Sequence, residues 1–398
     1  MKPFSKFTFI DKIKTVGDKN EVDKTMHVIL IVQQIFGLQI LDPKWTWKTS
    51  GLKHFMTACL TVYVLYGTYD AVEKVADVEL IAEACFTFIL ISARIFKACL
   101  FANKKYTFRK LYLLSKTSIL DILKTESENT DGSLQVLKKG QRAVFIFFLV
   151  IVIPFSSYVF TALWSYIKGN RTPVSKTTSI LMPLSTPYFE IGCILHMISM
   201  FQIGFIILVV DLWFVFLMLF YCMASDNIIK ILKVEKRGLE EDKKQYADRL
   251  NRSLKNFYEA HVKINEYLNT MSEMFRWLAA IPLYMVTICT CLILLLMSKK
   301  INWAFTSTTI PLFAEIFVFN WFGEQVKSKA YKLKLLLLHF DWLSLQYKDR
   351  KSYHIIVCYM NKNFGIKTAF GNELSFITMT SVLKASYQAF TVLQTLDD

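Results

Sequence analysis

Long uncharged runs dominate the chain. Residues 143–167 pass without a charge for 25 residues, 277–298 for 22 and 191–210 for 20. About 20 apolar residues cross the hydrocarbon core of a bilayer, and helices of soluble cores seldom run so far uncharged. These runs and the charged stretches between them predict seven spanning helices: 54–72, 80–101, 143–167, 188–222, 276–298, 301–323 and 372–396. Pro154, Pro282 and Pro311 interrupt the third, fifth and sixth. Each proline frees a backbone carbonyl and invites a kink. A further apolar stretch, 25–41, is broken by Gln33 and Gln34 and is a candidate eighth span.

Charge placement decides the topology. With seven spans and the N-terminus inside, the inner segments hold 38 Lys and Arg and the outer loops 6. That is a strong positive-inside bias, and it fixes a cytoplasmic N-terminus and an extracellular C-terminus. Counting 25–41 as a span would split the early lysines across the membrane, so it is expected as a short helix at the inner interface. Asn170-Arg-Thr, a glycosylation acceptor, then falls in the longest outer loop, while Asn251-Arg-Ser falls inside and should stay bare. The first 27 residues lack the apolar region and cleavage site of a signal peptide, so the spans themselves are expected to direct insertion.

The predicted organisation is one all-α, polytopic unit. Residues 1–53 form the cytoplasmic start, 54–323 the first six spans, 324–371 a cytosolic helical region and 372–398 the last helix. The fourth span runs long, so helices four and five are expected to continue into the cytoplasm, with Asp211 near the inner surface. Apolar positions Ile229, Leu232, Leu250, Leu254 and Phe257 recur near helical spacing there, and Leu335, Leu338, Trp342 and Leu345 form a second stripe.

Composition agrees. The chain is 54% hydrophobic, with 33 Phe and 13 Gly in 398 residues. Its net charge of +15 sits in loops and comes with no nucleic-acid reading module, so no nucleic-acid partner is expected. Eight cysteines lie mostly within apolar runs and read as small hydrophobes, with no metal site and no cofactor expected. No HExxH, GxSxG, phosphate loop or intramembrane carboxylate cluster points to an enzyme. A secondary transporter is the main rival, but the prolines show no repeat symmetry.

The C-terminal part carries the specific pattern. It contains "GEQVKSKAYKLKLLLLHFDWLSLQYKDRKSYHIIVCYMNKNF", with Gly323-Glu324, Trp342, the Asp349-Arg350-Lys351 cluster and Met360, followed by "SVLKASYQAFTVLQTL" with Ser386-Tyr387. These stretches, and "MPLSTPYFE" before the fourth span, resemble insect odorant receptors. The marks of G-protein-coupled receptors are missing. The gustatory receptors' ending, a Thr-Tyr pair with a later Gln-Phe, is poorly matched by Ser386-Tyr387 and Gln394-Thr395. The inner loop between spans four and five has no room for the insert of the shared co-receptor (Orco). The resemblance therefore implies a ligand-tuning subunit of a heterotetrameric, odorant-gated, non-selective cation channel that assembles with Orco. The resemblance further implies a place in the plasma membrane of an olfactory sensory dendrite.

The resemblance also implies site residues. It puts a hydrophobic gate at Val392 and Leu396, with Gln388 and Thr395 on or beside the same face, and these four positions form one helical stripe. It puts a pocket for a small volatile ligand among helices two, three, four and six. Candidates in their outer halves are Phe86, Ser157, Phe160, Thr161, Trp164, Phe189, His196, Met197 and Phe305, each of which also suits core packing. Two charges in apolar surroundings, Glu315 and Lys384, match in depth and are expected to pair across helices six and seven. Arg94 is expected to snorkel inward.

Overall fold

The computed structural model describes residues 27–74, 78–124, 130–171, 183, 185–233, 241–299, 307–361 and 364–397. Among these, twelve α-helices account for almost all regular structure, and one isolated bridge, Lys367↔Glu373, is the only β-pairing. A short helix α1 (His27–Ile35) is followed by α2 (Gly51–Lys74), α3 (Val78–Asn103), α4 (Lys105–Leu114) and α5 (Leu120–Lys124), with a π-turn at Ser115–Ile119 between the last two. Then come α6 (Thr130–Ile167), α7 (Tyr188–Ile231), α8 (Lys243–Phe275) and α9 (Ala280–Lys299). The chain ends with α10 (Thr309–Leu338), α11 (Tyr347–Met360) and α12 (Phe376–Asp397). Three helices are long and apolar enough to cross a membrane by length and composition alone: Leu80–Asn103, Tyr188–Ile231 and Ala280–Ser298. The bent pair Gln141–Pro154 and Val159–Ile167, 41° apart, makes a fourth. The remaining expected spans, α2, α10 and α12, dilute their apolar runs with charges and hydroxyls.

The fold is organised around α7. Its 44 residues reach roughly 66 Å at 1.5 Å per residue. It touches α1, α2, α3, α5, α6, α8 and α10. From 208 to 218 every residue is buried, as expected of a helix enclosed on all sides. Phe214 stacks on Phe319 of α10 with ring centroids 4.0 Å apart and meets Phe275 of α8 at 5.2 Å. Trp213 meets Phe108 of α4 edge-on at 4.9 Å. One aromatic core thus joins the apolar and the charged ends of the bundle.

The helices follow the expected pattern with several corrections. Ile229, Leu232, Leu250, Leu254 and Phe257 are all buried, as their spacing predicts. The fifth span, however, does not continue into α8: residues 276–279 turn between α8 and α9. Pro282 accounts for this, since it lacks the N–H that would bind the Leu278 carbonyl and is accommodated without a kink in a first turn. Pro311 likewise sits third in α10, so of the three prolines only Pro154 interrupts a helix. The second stripe holds only in its latter half, where Leu345 is buried and Trp342 packs against the core. Leu335 and Leu338 are exposed, while Leu333 and Leu337 are buried, and the helix stops at Leu338 before a 3-10 turn at Trp342–Ser344. There Trp342 stacks on Tyr353 at 5.8 Å, and Arg350 donates to the Leu343 and Leu345 carbonyls. Arg94 does not snorkel: its Nη2 donates to Thr61 Oγ1 at 2.6 Å, tying α3 to α2.

The base of α12 is tightly specified. Asn320 of α10 accepts the Ser375 N–H at 3.0 Å, and Ser375 Oγ in turn accepts the Thr378 N–H. Lys327 pairs with Glu373 at 2.7 Å. A Cβ on Gly323 would lie 2.2 Å from the Leu374 carbonyl oxygen, so only glycine lets the two backbones meet. We expect Gly323→Ala to destabilise the purified chain by about 1–3 kcal/mol, read as a lowered unfolding temperature in detergent; an unchanged temperature would show that the approach is not needed. His261 of α8 is buried among Phe257, Tyr359 and Phe364, and burial pushes its pKa down to about 4. Its folded-state value lies below the unfolded value near 6.5. The neutral ring's contribution is therefore complete above that value and is lost as pH falls toward 4. The unfolding free energy of the His261→Phe variant, measured against pH, should fall less steeply over that window, with a difference of up to about 3 kcal/mol.

Candidate functional site

Three charged side chains meet in the apolar interior. Lys97 of α3 is fully buried, and its Nζ lies 2.8 and 2.9 Å from the two carboxylate oxygens of Asp211 on α7. The same Nζ lies 2.5 Å from Glu315 Oε1 on α10. A lysine ammonium has three donors, and here all three are used. The triad thereby pins three helices that are far apart in sequence.

This corrects the expected pairing of Glu315 with Lys384. Lys97 takes Glu315, and Lys384 is exposed with no ion-pair partner among the described residues. Depth along a helix selects which charges are level, but not which helix faces which. The contacts of α7 with both α3 and α10 supply that second coordinate. Lys97 is the buried charge that the sequence pattern does not single out. It lies 17 residues into its apolar run, about 26 Å along the helix and so near the inner end, yet its Nζ turns inward to the two carboxylates.

Directly against the triad lies a small cavity that leaves about 40 Å³ for the centre of a water-sized sphere. Phe86 and Leu90 of α3, Ile151 of α6, Gly204 and Ile207 of α7 and Leu312 of α10 form apolar walls, and Asp211 and Glu315 face it as the polar floor. The volume suits one to three waters. Apolar walls with a few convergent polar groups are the usual make-up of a small-molecule site.

The other candidate pocket residues divide. Ser157 Oγ lies 3.0 Å from Ser307 Oγ, linking α6 to the turn before α10. Phe189 is buried and stacks on Tyr166 at 6.2 Å. Met197 packs with Ala162 in a separate apolar cluster. His196 is buried, one turn before Met200, and neither ring nitrogen has a partner among the described residues. Phe160, Thr161 and Trp164 are exposed on the outside of α6 and do not join these residues. They share a helical face with Ser157, but spacing cannot say where that face points beyond the bend after Pro154. Phe305 lies outside the described residues. Asn170 is exposed just after α6.

Helix α12 has two faces. Met379, Val382 and Ser386 turn toward α9 and α10, and Ser386 is completely buried. On the opposite side Ser381, Lys384, Gln388, Val392 and Thr395 are exposed. Their spacing of three and four residues makes one continuous stripe. Of the four expected gate positions, Gln388, Val392 and Thr395 lie on it, while the Leu396 side chain lies outside the described residues.

A helical bundle with membrane-spanning helices and an internal cavity is the class that this geometry defines, and the comparisons make it specific. A sequence model described as 7tm Odorant receptor matches residues 77–387, so the chain belongs to the odorant receptor family. The solved insect olfactory receptor OR5 from Machilis hrabei has the same fold, with a TM-score of 0.69 at 14% identity over 94% of this chain and 98% of that one. The same receptor in complex with eugenol aligns at a TM-score of 0.61 and 13% identity, over 94% of this chain and all of the other. No curated protein matches in sequence.

Replacing Lys97 leaves two buried carboxylates uncompensated, so Lys97→Met should cost about 3–5 kcal/mol of stability. A double-mutant cycle in detergent unfolding between Lys97→Met and Glu315→Gln should show coupling above about 1 kcal/mol. The cycle between Lys384→Gln and Glu315→Gln should show none. Coupling only in the second cycle would restore the Glu315–Lys384 pair.

Proposed function

We propose that the chain is the ligand-tuning subunit of an odorant-gated, non-selective cation channel, assembled with Orco in a heterotetramer at the plasma membrane. The two-faced α12 carries this reading. An exposed stripe that holds Lys384 and Gln388 is costly against lipid, which cannot hydrogen-bond, and suits a water-filled path, while Ser381 and Thr395 on the same stripe bond to carbonyls of their own helix. Val392 interrupts the polar stripe, and with Leu396 it supplies an apolar ring of the kind that closes a pore by expelling water. The positive-inside charge distribution supports a cytoplasmic N-terminus, and Asn170 then lies outside, available for glycosylation.

The ligand site in this reading is the space between α3, α6, α7 and α10. Phe86 and Leu90 supply the apolar wall. Ser157 and His196 offer hydrogen bonds nearer the outer end, and the triad closes the inner end. Phe189 and Met197 frame the outer part. A small volatile enters by displacing the waters for which the cavity has room and by parting these side chains. Because the triad joins α3, α7 and α10, a ligand that moves Phe86 or Leu312 acts on helices that are already tied together.

The test is electrical. In cells expressing the chain with Orco, members of a volatile panel should evoke cation current, with little or none when either chain is left out. Gln388→Cys and Val392→Cys should make that current sensitive to a water-soluble thiol reagent, whereas Ser386→Cys, on the packed face, should not. Equal sensitivity at all three positions, or none at any, would remove α12 from the pore.

A further inference from the structure

A second and larger concavity lies away from the triad. It runs between α3 and α9, has a volume of about 390 Å³, and is lined by Phe88, Phe96, Trp277, Tyr284, Ile288 and Phe370 among others. Its size falls within the range of small-molecule and cofactor sites. Its lining is almost entirely apolar, and Phe88, Trp277, Tyr284, Ile288 and Phe370 are each about half exposed. From Ala280 to Ile288 it follows eight steps of α9, about 12 Å, with Trp277 in the turn beyond, which approaches one leaflet of a roughly 30 Å hydrocarbon core. Trp277 stands where the charged α8 gives way to the apolar α9, the level at which Trp and Tyr mark the membrane–water boundary.

The end of the groove is charged. Arg276, next to Trp277, is exposed, and its Nη2 has one protein contact, the Ala369 carbonyl at 3.4 Å. Among the described residues no carboxylate pairs with it. Glu273, one turn earlier, is engaged at 3.3 Å by Lys104, in the turn between α3 and α4. An occupant must therefore match an apolar trough about one leaflet long and an uncompensated guanidinium at its mouth. A neutral volatile leaves Arg276 unmatched, and a free phosphate leaves the trough empty.

We infer that this groove binds one acyl chain of an anionic membrane phospholipid, with the headgroup phosphate on Arg276. A planar guanidinium suits phosphate through paired hydrogen bonds. The site also touches the last helix indirectly. Phe370, which meets Trp277 at 5.7 Å and Tyr284 at 4.9 Å, lies in the hairpin closed by the Lys367↔Glu373 bridge, with Gly371 at φ 85°. That hairpin leads straight into α12, so a chain seated in the groove packs on the base of α12. The inference needs α3 and α9 to lie in a bilayer. It does not need the odorant or channel reading, and its failure would leave both standing.

The full chain, reconstituted in phosphatidylcholine vesicles, is exposed to a phosphatidylglycerol bearing a photoreactive acyl chain, or to phosphatidylcholine bearing the same chain. Cross-linked peptides are mapped by mass spectrometry. The anionic probe should label peptides covering 88–96 and 277–288 about five-fold or more above the zwitterionic one. Arg276→Gln should bring the two probes to near parity while labelling persists. Ile288→Trp, at the far end of the trough, should reduce labelling by both. Labelling along the exposed side of α2, at Phe55, Met56 and Val62, should stay constant in every variant and reports intact folding. Equal labelling by the two probes in the unaltered chain would overturn the inference. So would a preference that survives Arg276→Gln, or groove peptides cross-linked to a second copy of the chain instead of lipid.

Discussion

One lysine held between two carboxylates in an apolar interior sets the constraint on which this bundle depends. Removing an ammonium and two carboxylates from water is expensive, and the cost is recovered only where geometry and hydrogen bonding are complete. Lys97 meets that condition with three donors on three oxygens. The relative positions of α3, α7 and α10 are therefore specified more narrowly than apolar packing alone would fix them. Aliphatic side chains tolerate sliding by a fraction of a turn, whereas a three-way polar contact does not. The cavity wedged against it inherits that precision: its floor is the triad itself, and its walls are the same helices.

Much of the architecture was legible because it follows from one-dimensional rules. Uncharged length finds spans, lysine and arginine placement orients them, and a repeat of three and four residues finds buried stripes such as Leu250, Leu254 and Phe257. The errors share one origin, in that a helix's rotation and its neighbours are not written locally. Glu315 was placed at the right depth and given the wrong partner. Thr161 and Trp164 were placed on the right face of α6, but that face looks outward. Leu335 and Leu338 belong to an apolar stretch so rich in leucine that its register is ambiguous, and the buried residues are Leu333 and Leu337. Lys97 went unnoticed because a cation near the end of a span ordinarily reaches water; the signal that would have found it is the presence of two carboxylates, Asp211 and Glu315, in otherwise apolar helices.

The family-like pattern after the sixth span turns out to be largely structural. Gly323 lets the α10 backbone meet the Leu374 carbonyl, Trp342 stacks on Tyr353, Arg350 closes the turn before α11, and Met360 is buried in the core. None of these touches the cavity. They define how α12 leaves the body of the protein, and so which of its faces is hidden and which is presented.

The enclosure of α7 has a mechanical corollary. With no free face between 208 and 218, this rod cannot spin about its own axis without evicting neighbours on every side, because a close-packed interior has no slack to absorb the turn. What remains open to it is to tip or to slide lengthwise. Either motion would be delivered undiminished to its far end some tens of ångströms away, so whatever disturbs the middle of the molecule is transmitted as a lever stroke.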